Sequence, residues 1–189
     1  MQMKDKVVGI AGMGRIGKAT AKLFKAIGAR VIGYDHKPSP EEQEQIEYSS
    51  DFKSFLSQVD VLSLHMPATA DNYHILNAQS LAYLPRGAII INTARGSLID
   101  TTALLAALDT GALAGVAMDC YEAEDAIINK QIDLGNIDKK MKRILANEKI
   151  LYTPHIAYYT DEAVRALVLN ALDSIVCLYE AGETEAELR

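Results

Sequence analysis

The sequence contains few cysteines and no long apolar run. Its two cysteines, Cys120 and Cys177, stand apart and form no Cys-x-x-Cys pair, so we expect reduced, structural thiols without a metal. No apolar stretch approaches the roughly 20 residues that a membrane-spanning helix needs, so we expect no membrane partner. The first residues, Met-Gln-Met-Lys-Asp-Lys, lack the apolar stretch of a signal peptide, which predicts a cytoplasmic protein.

The sequence also lacks the features of several common functional classes. Its formal net charge is -6 and its lysines and arginines are scattered, so we expect no nucleic-acid partner. It has no P-loop, no nucleophile-elbow serine and no metal-ligand spacing. The remaining composition, 49% hydrophobic and 23% charged over 189 residues, is that of a globular domain with a substantial core.

A glycine motif follows the first apolar run. Residues 7–11 lead into Gly12-x-Gly14-x-x-Gly17, and a helical pattern begins at once. Gly12 allows a tight turn, Gly14 has no side chain to hold a pyrophosphate away, and Gly17 lets the helix pack close to the strand. The helix N-terminus offers N–H groups to phosphates. The motif predicts a dinucleotide site, and the alternative is a glycine-rich turn in an ordinary α/β protein.

An acidic residue closes the second apolar run. Asp35 follows residues 30–34 directly and stands eighteen residues after Gly17. Its carboxylate can accept hydrogen bonds from both hydroxyls of an adenosine ribose and would repel a 2′-phosphate. Asp35 therefore favours NAD over NADP.

Strand and helix patterns alternate along the chain. We predict strands over 7–11, 30–34, 59–64, 88–92, 113–118 and 150–153, and helices over 15–27, 51–58, 77–84, 100–111, 138–146 and from 161 onward. This alternation predicts an α/β fold, a Rossmann-type doubly wound parallel sheet in a three-layer αβα arrangement.

Two segments stand out near the C-terminal end. Residues 125–148 form a long polar connection, a length that often marks a functional loop. The last helix follows Thr160 and carries an apolar stripe that faces either this sheet or a missing partner. The stripe consists of Val164, Leu167, Val168, Ala171, Ile175 and Leu178.

Reactive side chains collect after predicted strands, where ligands bind in open α/β sheets. Asp35, His65, Arg95, Asp119 and His155 each stand at or just after a strand. The Arg95 guanidinium could bind a carboxylate with two parallel hydrogen bonds, and the alternative is a surface arginine. His65 is interpreted as part of the wall behind the cofactor.

His155 and Glu124 could act as a pair. An imidazole commonly moves protons near neutral pH, and a carboxylate beside it orients the ring and favours its protonated form. The alternatives are a structural histidine and a solvated loop acid. Asp119 could bind the nicotinamide carboxamide or cap a loop, whereas His36 and His74 are interpreted as surface residues.

These motifs together resemble the NAD-binding domain of the D-isomer-specific 2-hydroxyacid dehydrogenases. The resemblance covers nearly the whole chain and is highly specific in order and spacing. The segments 119–124 and 157–160 look most like the D-lactate dehydrogenase branch. The motifs are the glycine turn 12–17, Asp35, residues 64–67, 92–96 and 117–119, Glu124 and residues 153–155.

The resemblance implies an NAD-dependent hydride transfer to a small 2-oxoacid such as pyruvate. It implies that Arg95 binds the substrate carboxylate, that His155 is the acid and base, and that Glu124 holds His155. It also implies a homodimer formed through this domain. The implied cofactor-binding residues are Gly12, Gly14, Arg15, Ile16, Gly17, Asp35, Met66, Pro67, Asn72, Thr93, Ala94 and Asp119.

One departure from the family concerns its substrate domain, which is built mainly from sequence before the glycine motif. Few residues precede that motif here, so we expect residues 1–189 to form the NAD-binding domain alone. The last helix, about 160–181, would return toward the absent domain. We therefore expect NAD binding with little turnover. The alternatives are an NAD(H)-sensing module related to corepressors, a dehydrogenase for glycerate, hydroxyisocaproate or phosphoglycerate, and a remnant that binds nothing.

Overall fold

The computed structural model describes residues 2–36, 46–124 and 137–181. In these ranges the strands are β1 (Val7–Ala11), β2 (Arg30–Tyr34), β3 (Glu47–Tyr48), β4 (Val61–Leu64), β5 (Ala88–Asn92), β6 (Leu113–Met118) and β7 (Ile150–Tyr152). The α-helices are α1 (Arg15–Ala26), α2 (Phe52–Leu56), α3 (Ala78–Leu81), α4 (Thr101–Asp109), α5 (Lys139–Ala146) and α6 (Asp161–Ala181). The chain divides into two compact units, Met1–Pro154 and His155–Arg189.

The first unit is built on one parallel sheet with the strand order β3-β2-β1-β4-β5-β6-β7. All of its strand pairs are parallel. The chain moves outward from β1 in one direction through β2 and β3, and then returns to place β4 on the other side of β1. The order therefore reverses between β1 and β4, where the connections after the strands diverge and leave a crevice. The predicted doubly wound parallel sheet is confirmed.

Both faces of the sheet are buried, because neighbouring residues of a strand point to opposite sides. On β2, Val31 belongs to a smaller apolar cluster that includes Ala21 of α1. Ile32 belongs to a larger cluster that includes Leu104 of α4 and Ile144 of α5. Helices on both faces of one sheet give the three layers expected from the sequence.

Helix starts follow side-chain caps that could be read from the sequence. Each capping residue precedes its helix and accepts hydrogen bonds from backbone N–H groups of the first turn, which have no partner inside the helix. The caps are Asp51 before α2, Asn77 before α3, Asp100 before α4 and Asp138 before α5.

Some predicted boundaries are wrong. The predicted strand 59–64 begins at Val61, because Val59 still bonds back to Leu56 at the end of α2. The predicted helix 77–84 ends at Leu81. Sequence analysis also missed β3, whose two residues are too short for a pattern and are placed by pairing of Glu47 with Ile32. The two prolines in residues 36–40 predict a turn after Asp35, and this segment lies outside the described residues from Lys37 on. So does the part of the long polar connection over 125–136.

The second unit contains α6. Thr160 caps this helix, accepting a hydrogen bond from Ala163 N at 3.2 Å, as the sequence predicts. The residues of the predicted apolar stripe are exposed, with Leu167 at 58% and Ile175 at 62%. The question of what this stripe faces stays open. Among the described helices none is long and apolar enough to cross a membrane.

Candidate functional site

A cavity of about 400 Å³ lies at the crevice between the ends of β1, β2 and β4. It occupies the position where open α/β sheets bind ligands. Residues from all three strand ends contribute to its wall, so the topology brings together motifs that are far apart in sequence. The lining residues are Gly12, Gly14, Tyr34, Asp35, His36, His65, Met66, Pro67, Thr69, Asp71 and Asn72.

The three motif glycines have different surroundings. Gly12 has a φ of +95°, and a Cβ there would overlap the backbone of His65 and Met66. A Cβ on Gly17 would overlap the carbonyl of Gly12. A Cβ on Gly14 would meet no atom within 4 Å. The fold therefore requires Gly12 and Gly17, whereas at Gly14 the open space suits the close approach of a ligand.

The start of α1 supports an anionic ligand beside Gly14. Gly14 is the N-cap of this helix, and because glycine has no side chain it cannot cap the backbone N–H groups of the first turn. Arg15 and Ile16, in the first turn, are exposed at the same end. Backbone N–H groups and the helix dipole favour a phosphate at such a position. The open space at Gly14 and this helix end both fit the pyrophosphate of a dinucleotide.

Asp35 links the end of β2 to the glycine turn. Its Oδ2 accepts a hydrogen bond from Met13 N at 2.7 Å. The carboxylate is half-buried and lines the cavity. It thus fixes the glycine turn and places negative charge in the wall of the cavity.

The wall after β4 is a turn held by Asn72. The Asn72 side chain is 7% exposed, accepts from Thr69 N at 2.7 Å and donates to the Pro67 carbonyl at 2.8 Å. His65 lies nearby, with its Nε2 3.0 Å from Ser63 Oγ. Burial lowers the pKa of the His65 imidazole below its usual value, which favours a neutral ring in the wall of the cavity.

Three other predicted site residues lie around one thiol in the same unit. Burial raises the pKa of the Cys120 thiol to about 12; Glu124 and Asp119 add to the shift, and Arg95 opposes it. The three charged groups are therefore within electrostatic reach of Cys120. Cys120 is 2% exposed and unbonded to another cysteine, so it acts as a buried, protonated thiol.

The turn that carries Arg95 is shaped by Asn92, the fully buried last residue of β5. The Asn92 side chain accepts from Ala94 N at 3.0 Å and donates to the Arg95 carbonyl at 2.9 Å. Thr93 and Arg95 are exposed. A Cβ on Gly96 would overlap the backbone of Tyr121. The turn is thus locked from within and packed closely against the segment after β6.

Glu124 lies on that segment, in a compact turn. Glu124 Oε2 accepts from Tyr121 N at 3.0 Å, and Glu124 N donates to the Tyr121 carbonyl at 3.1 Å. The carboxylate is half-buried. These two hydrogen bonds fix its position relative to Gly96 and the Arg95 turn.

The segment that leads to His155 is anchored through Asp119. Asp119 is 5% exposed, and its Oδ1 accepts a hydrogen bond from the Thr153 hydroxyl. Thr153 also donates its backbone N–H to the Met118 carbonyl at 3.0 Å. His155, half-buried with a φ of +56°, is the first residue of the second unit. Its meeting with Arg95 and Glu124 stays a prediction.

Sequence reasoning missed the surroundings of four side chains near this region. His74 is not the predicted surface residue, because its side chain is 25% exposed and its Nε2 lies 2.9 Å from Glu122 Oε2. Glu122 also bonds Lys140 at 2.8 Å. The Tyr152 hydroxyl is buried without a partner among the described residues. No local pattern signals these contacts, since the partners are distant in sequence. The described ranges contain no grouping of three metal-binding side chains.

The cavity at the switch point, the open Gly14 and Asp35 together define a dinucleotide-binding domain of the Rossmann type. The family model for the D-isomer specific 2-hydroxyacid dehydrogenase NAD binding domain matches residues 1–157. The chain belongs to this family, and NAD, the cofactor expected from the sequence, is the cofactor of the family's domain.

Individual relatives agree with this assignment. The chain is 45% identical to a D-lactate dehydrogenase of Treponema pallidum over 100% of its length and 57% of the relative. The crystal structure of D-lactate dehydrogenase with NAD+ from Lactobacillus jensenii is 32% identical, with a TM-score of 0.93 over 100% of this chain and 57% of that one. A structure of D-2-hydroxyisocaproate dehydrogenase is 38% identical, with the same TM-score and coverage. The chain thus spans a little more than half of these relatives.

Proposed function

We propose that this chain is the NAD-binding part of a D-2-hydroxyacid dehydrogenase, which interconverts a small 2-oxoacid of the pyruvate type and its 2-hydroxyacid. The observation that carries the proposal is the switch-point cavity, where Gly14 leaves open space and Asp35 stands beside it. The names of the relatives support lactate as the hydroxyacid.

The proposed cofactor contacts follow the cavity. Arg15 and Ile16 bind the pyrophosphate through backbone N–H groups at the start of α1. Asp35 accepts hydrogen bonds from the adenosine ribose. The residues on the adenosine side are Met66, Pro67 and Asn72, and those on the nicotinamide side are Thr93, Ala94 and Asp119.

The proposed reaction uses three side chains. NADH, when bound, supplies a hydride to the carbonyl carbon of the 2-oxoacid. Arg95 binds the substrate carboxylate through two parallel hydrogen bonds and polarises the carbonyl. His155 gives a proton to the carbonyl oxygen during reduction and takes it back during oxidation, so that C=O and CH–OH interconvert. Glu124 holds the imidazole and orients its ring.

A branched 2-oxoacid is the second candidate substrate. It is favoured by the likeness to D-2-hydroxyisocaproate dehydrogenase at 38% identity. Initial rates of NADH oxidation with pyruvate and with 2-oxoisocaproate, measured on a complete dehydrogenase that contains this chain, separate the two. A larger kcat/KM for pyruvate supports the first substrate, and a larger value for 2-oxoisocaproate supports the second.

A homodimer and a cytoplasmic location belong to the same proposal. The homodimer would form through this domain, as the family resemblance implies. Sedimentation equilibrium of the 189-residue chain tests it, and a monomer mass of 20.6 kDa at high micromolar concentration would contradict it.

Fluorescence titration with NADH and NADPH tests cofactor binding by the 189 residues themselves. We expect a clear preference for NADH in the parent chain. The Asp35→Asn variant should weaken NADH about 10-fold or more, because a hydrogen bond to a charged group contributes about 1.5–3 kcal/mol. It should also reduce the discrimination against NADPH.

The matched control is Glu47→Gln. This substitution removes a negative charge from neighbouring β3, where Glu47 pairs with Arg30 at 2.7 Å outside the cavity. It should leave both affinities unchanged. An absence of NADH binding in the parent chain, or equal affinity for NADPH, would contradict the proposal.

A further inference from the structure

Two turns that carry predicted catalytic side chains lie in backbone contact. The first holds Arg95, and the second, after β6, holds Glu124. They meet where Gly96 packs on Tyr121 and Glu122, so closely that a Cβ on Gly96 would overlap both residues. The relative position of the two turns therefore depends on what holds residues 121–124 against the Arg95 turn.

A short extended segment borders the Arg95 turn as well. His74 N donates to the Ser97 carbonyl at 2.9 Å, and Leu76 N donates to the Leu98 carbonyl at 3.0 Å. Leu76 and Ile99 form a parallel bridge. The backbone of His74 is thus part of the same hydrogen-bonded unit as the turn after Arg95.

The Glu122 side chain connects this unit to the turn that carries Glu124. Its Oε2 lies 2.9 Å from His74 Nε2, and its Oε1 accepts from Lys140 Nζ at 2.8 Å. The Glu122 side chain is 13% exposed, so water screens these interactions weakly. The hydrogen bond from Lys140 to Glu122 raises the pKa of the lysine.

Helix α5 is the third element of this connection. Lys140 lies in its first turn, two residues after the cap Asp138. The Tyr121 hydroxyl donates to Asp138 at 3.1 Å. The second turn is therefore fixed to α5 through neighbouring residues, Tyr121 and Glu122, and Glu122 also connects to the Arg95 side through His74.

We propose that Glu122 is a positioning residue, whose carboxylate joins His74 and Lys140 and thereby fixes the Arg95 turn relative to the turn that carries Glu124. The inference rests on the proposed function, which gives Arg95 and Glu124 their catalytic roles. Glu122 touches neither substrate nor cofactor in this assignment. It acts through the two turns, so its loss should loosen both turns and leave the switch-point cavity intact.

Amide hydrogen exchange of the 189-residue chain tests the inference. In Glu122→Ala we expect the amides of Ile99 and Glu124 to exchange about tenfold faster or more, because a local opening costs less free energy. Amides of β4 and β5 should be unchanged. The NMR signal of the Arg95 Nε–H group should shift. NADH affinity should fall less than in Asp35→Asn, because other elements line the switch-point cavity and only the proposed nicotinamide contacts Thr93 and Ala94 lie in the Arg95 turn.

Two further variants separate positioning from general stability. Glu122→Gln should restore most of the protection, because its amide oxygen can accept from Lys140 and its amide nitrogen can donate to His74 Nε2. Asp109→Asn removes another ion pair of α5, between Asp109 and Arg143 at 2.6 Å, and should change neither turn. Equal effects of Asp109→Asn and Glu122→Ala, or unchanged exchange at Ile99 and Glu124 in Glu122→Ala, would overturn the inference.

The test remains decisive if Glu122→Ala does not fold. Lys140→Met replaces a side chain that is 44% exposed and removes one partner of Glu122. It should speed exchange of the Glu124 amide and leave β4 and β5 unchanged. No effect of Lys140→Met on that amide would contradict the inference. NADH binding of the parent chain is measured separately, and its absence contradicts the proposed function. The exchange result then still tests whether Glu122 holds the two turns together.

Discussion

At the scale of single residues, the glycines divide into those that the fold needs and one, Gly14, that the fold does not need. Gly96 packs against the backbone of Tyr121 and Glu122, and rigid backbone atoms cannot move aside for a methyl group. Gly14 has ordinary dihedral angles for any residue, with φ at −70°, and open space around its Cβ position. The same substitution should therefore have opposite consequences at the two positions.

We predict that Gly14→Ala impairs binding and that Gly96→Ala impairs folding. Gly14→Ala should cost less than about 1 kcal/mol of unfolding free energy, the scale of an N-cap change, and should weaken NADH about tenfold or more. Gly96→Ala should cost about 2 kcal/mol or more, as expected for overpacking against backbone. Urea unfolding and NADH titration measure both quantities. Loss of stability without loss of NADH affinity in Gly14→Ala would contradict the ligand role.

His65 gives a prediction about pH. Burial lowers the pKa of its imidazole in the folded chain, so between that value and the usual value of about 6.5 the unfolded chain binds more protons. Stability should therefore be fully present above about pH 6.5 and fall as the pH drops through the folded-state pKa. Urea unfolding from pH 8 to 5 checks this.

The matched variants for this pH effect are His65→Gln and His36→Gln. His65→Gln should flatten the loss of stability at low pH, because glutamine does not titrate. His36 is exposed, so His36→Gln should leave the slope unchanged. Identical slopes in the parent chain and in His65→Gln would rule out His65 as the source.

At the scale of elements, two tyrosines near the ends of β6 and β7 differ in one hydrogen bond. The Tyr121 hydroxyl, after β6, donates to Asp138 at 3.1 Å. The Tyr152 hydroxyl, at the end of β7, is buried and has no partner among the described residues. Burial raises the pKa of both phenols, with a contribution from Asp138 at Tyr121 and from Glu124 at Tyr152. A buried hydroxyl without a partner lowers stability.

We predict opposite effects of removing these two hydroxyl groups. Tyr152→Phe should raise the unfolding free energy by up to about 1 kcal/mol, because it removes an unsatisfied polar atom. Tyr121→Phe should lower it by about 1 kcal/mol, because it leaves the cap of α5 without this donor. Urea unfolding of the two variants decides, and a similar loss in both would show that the Tyr152 hydroxyl has a stabilising partner.

Local signals account for most elements that the sequence could predict. The strands β1, β2, β5 and β6 have the bounds expected from their apolar runs, and the cap Asp138 marks the start of α5. Contacts between distant segments had no such signal. Glu47 joins β3 to β2, and Glu122 meets His74 48 residues away in sequence. Whether a polar loop residue is exposed or paired depends on contacts that form only on folding. The prediction that His74 lies on the surface is wrong for this reason.

At the scale of the whole molecule, the proposed substrate-binding arginine of the first unit and apolar side chains of the second unit are both exposed to water. In the first unit, Arg95 is exposed. In the second, apolar side chains of α6 are exposed, among them Leu172 at 54% and Val168 at 55%. Exposed apolar clusters of this kind mark contact surfaces. The relatives are longer, and this chain spans 57% of the Treponema pallidum enzyme.

We predict that the 189 residues bind NADH and turn over pyruvate slowly or not at all. An exposed Arg95 binds a carboxylate in a high-dielectric environment, where an ion pair at 4 Å is worth about 1 kcal/mol, and water around the reacting atoms removes the benefit of a closed site. NADH oxidation at high protein concentration, with the Treponema pallidum enzyme assayed in parallel, measures the difference. We expect a kcat/KM at least about 10³-fold lower than that enzyme's, because orientation and desolvation contribute factors of this size or more. Comparable turnover by both proteins would show that these residues form a sufficient active site and would refute the expectation of an incomplete one.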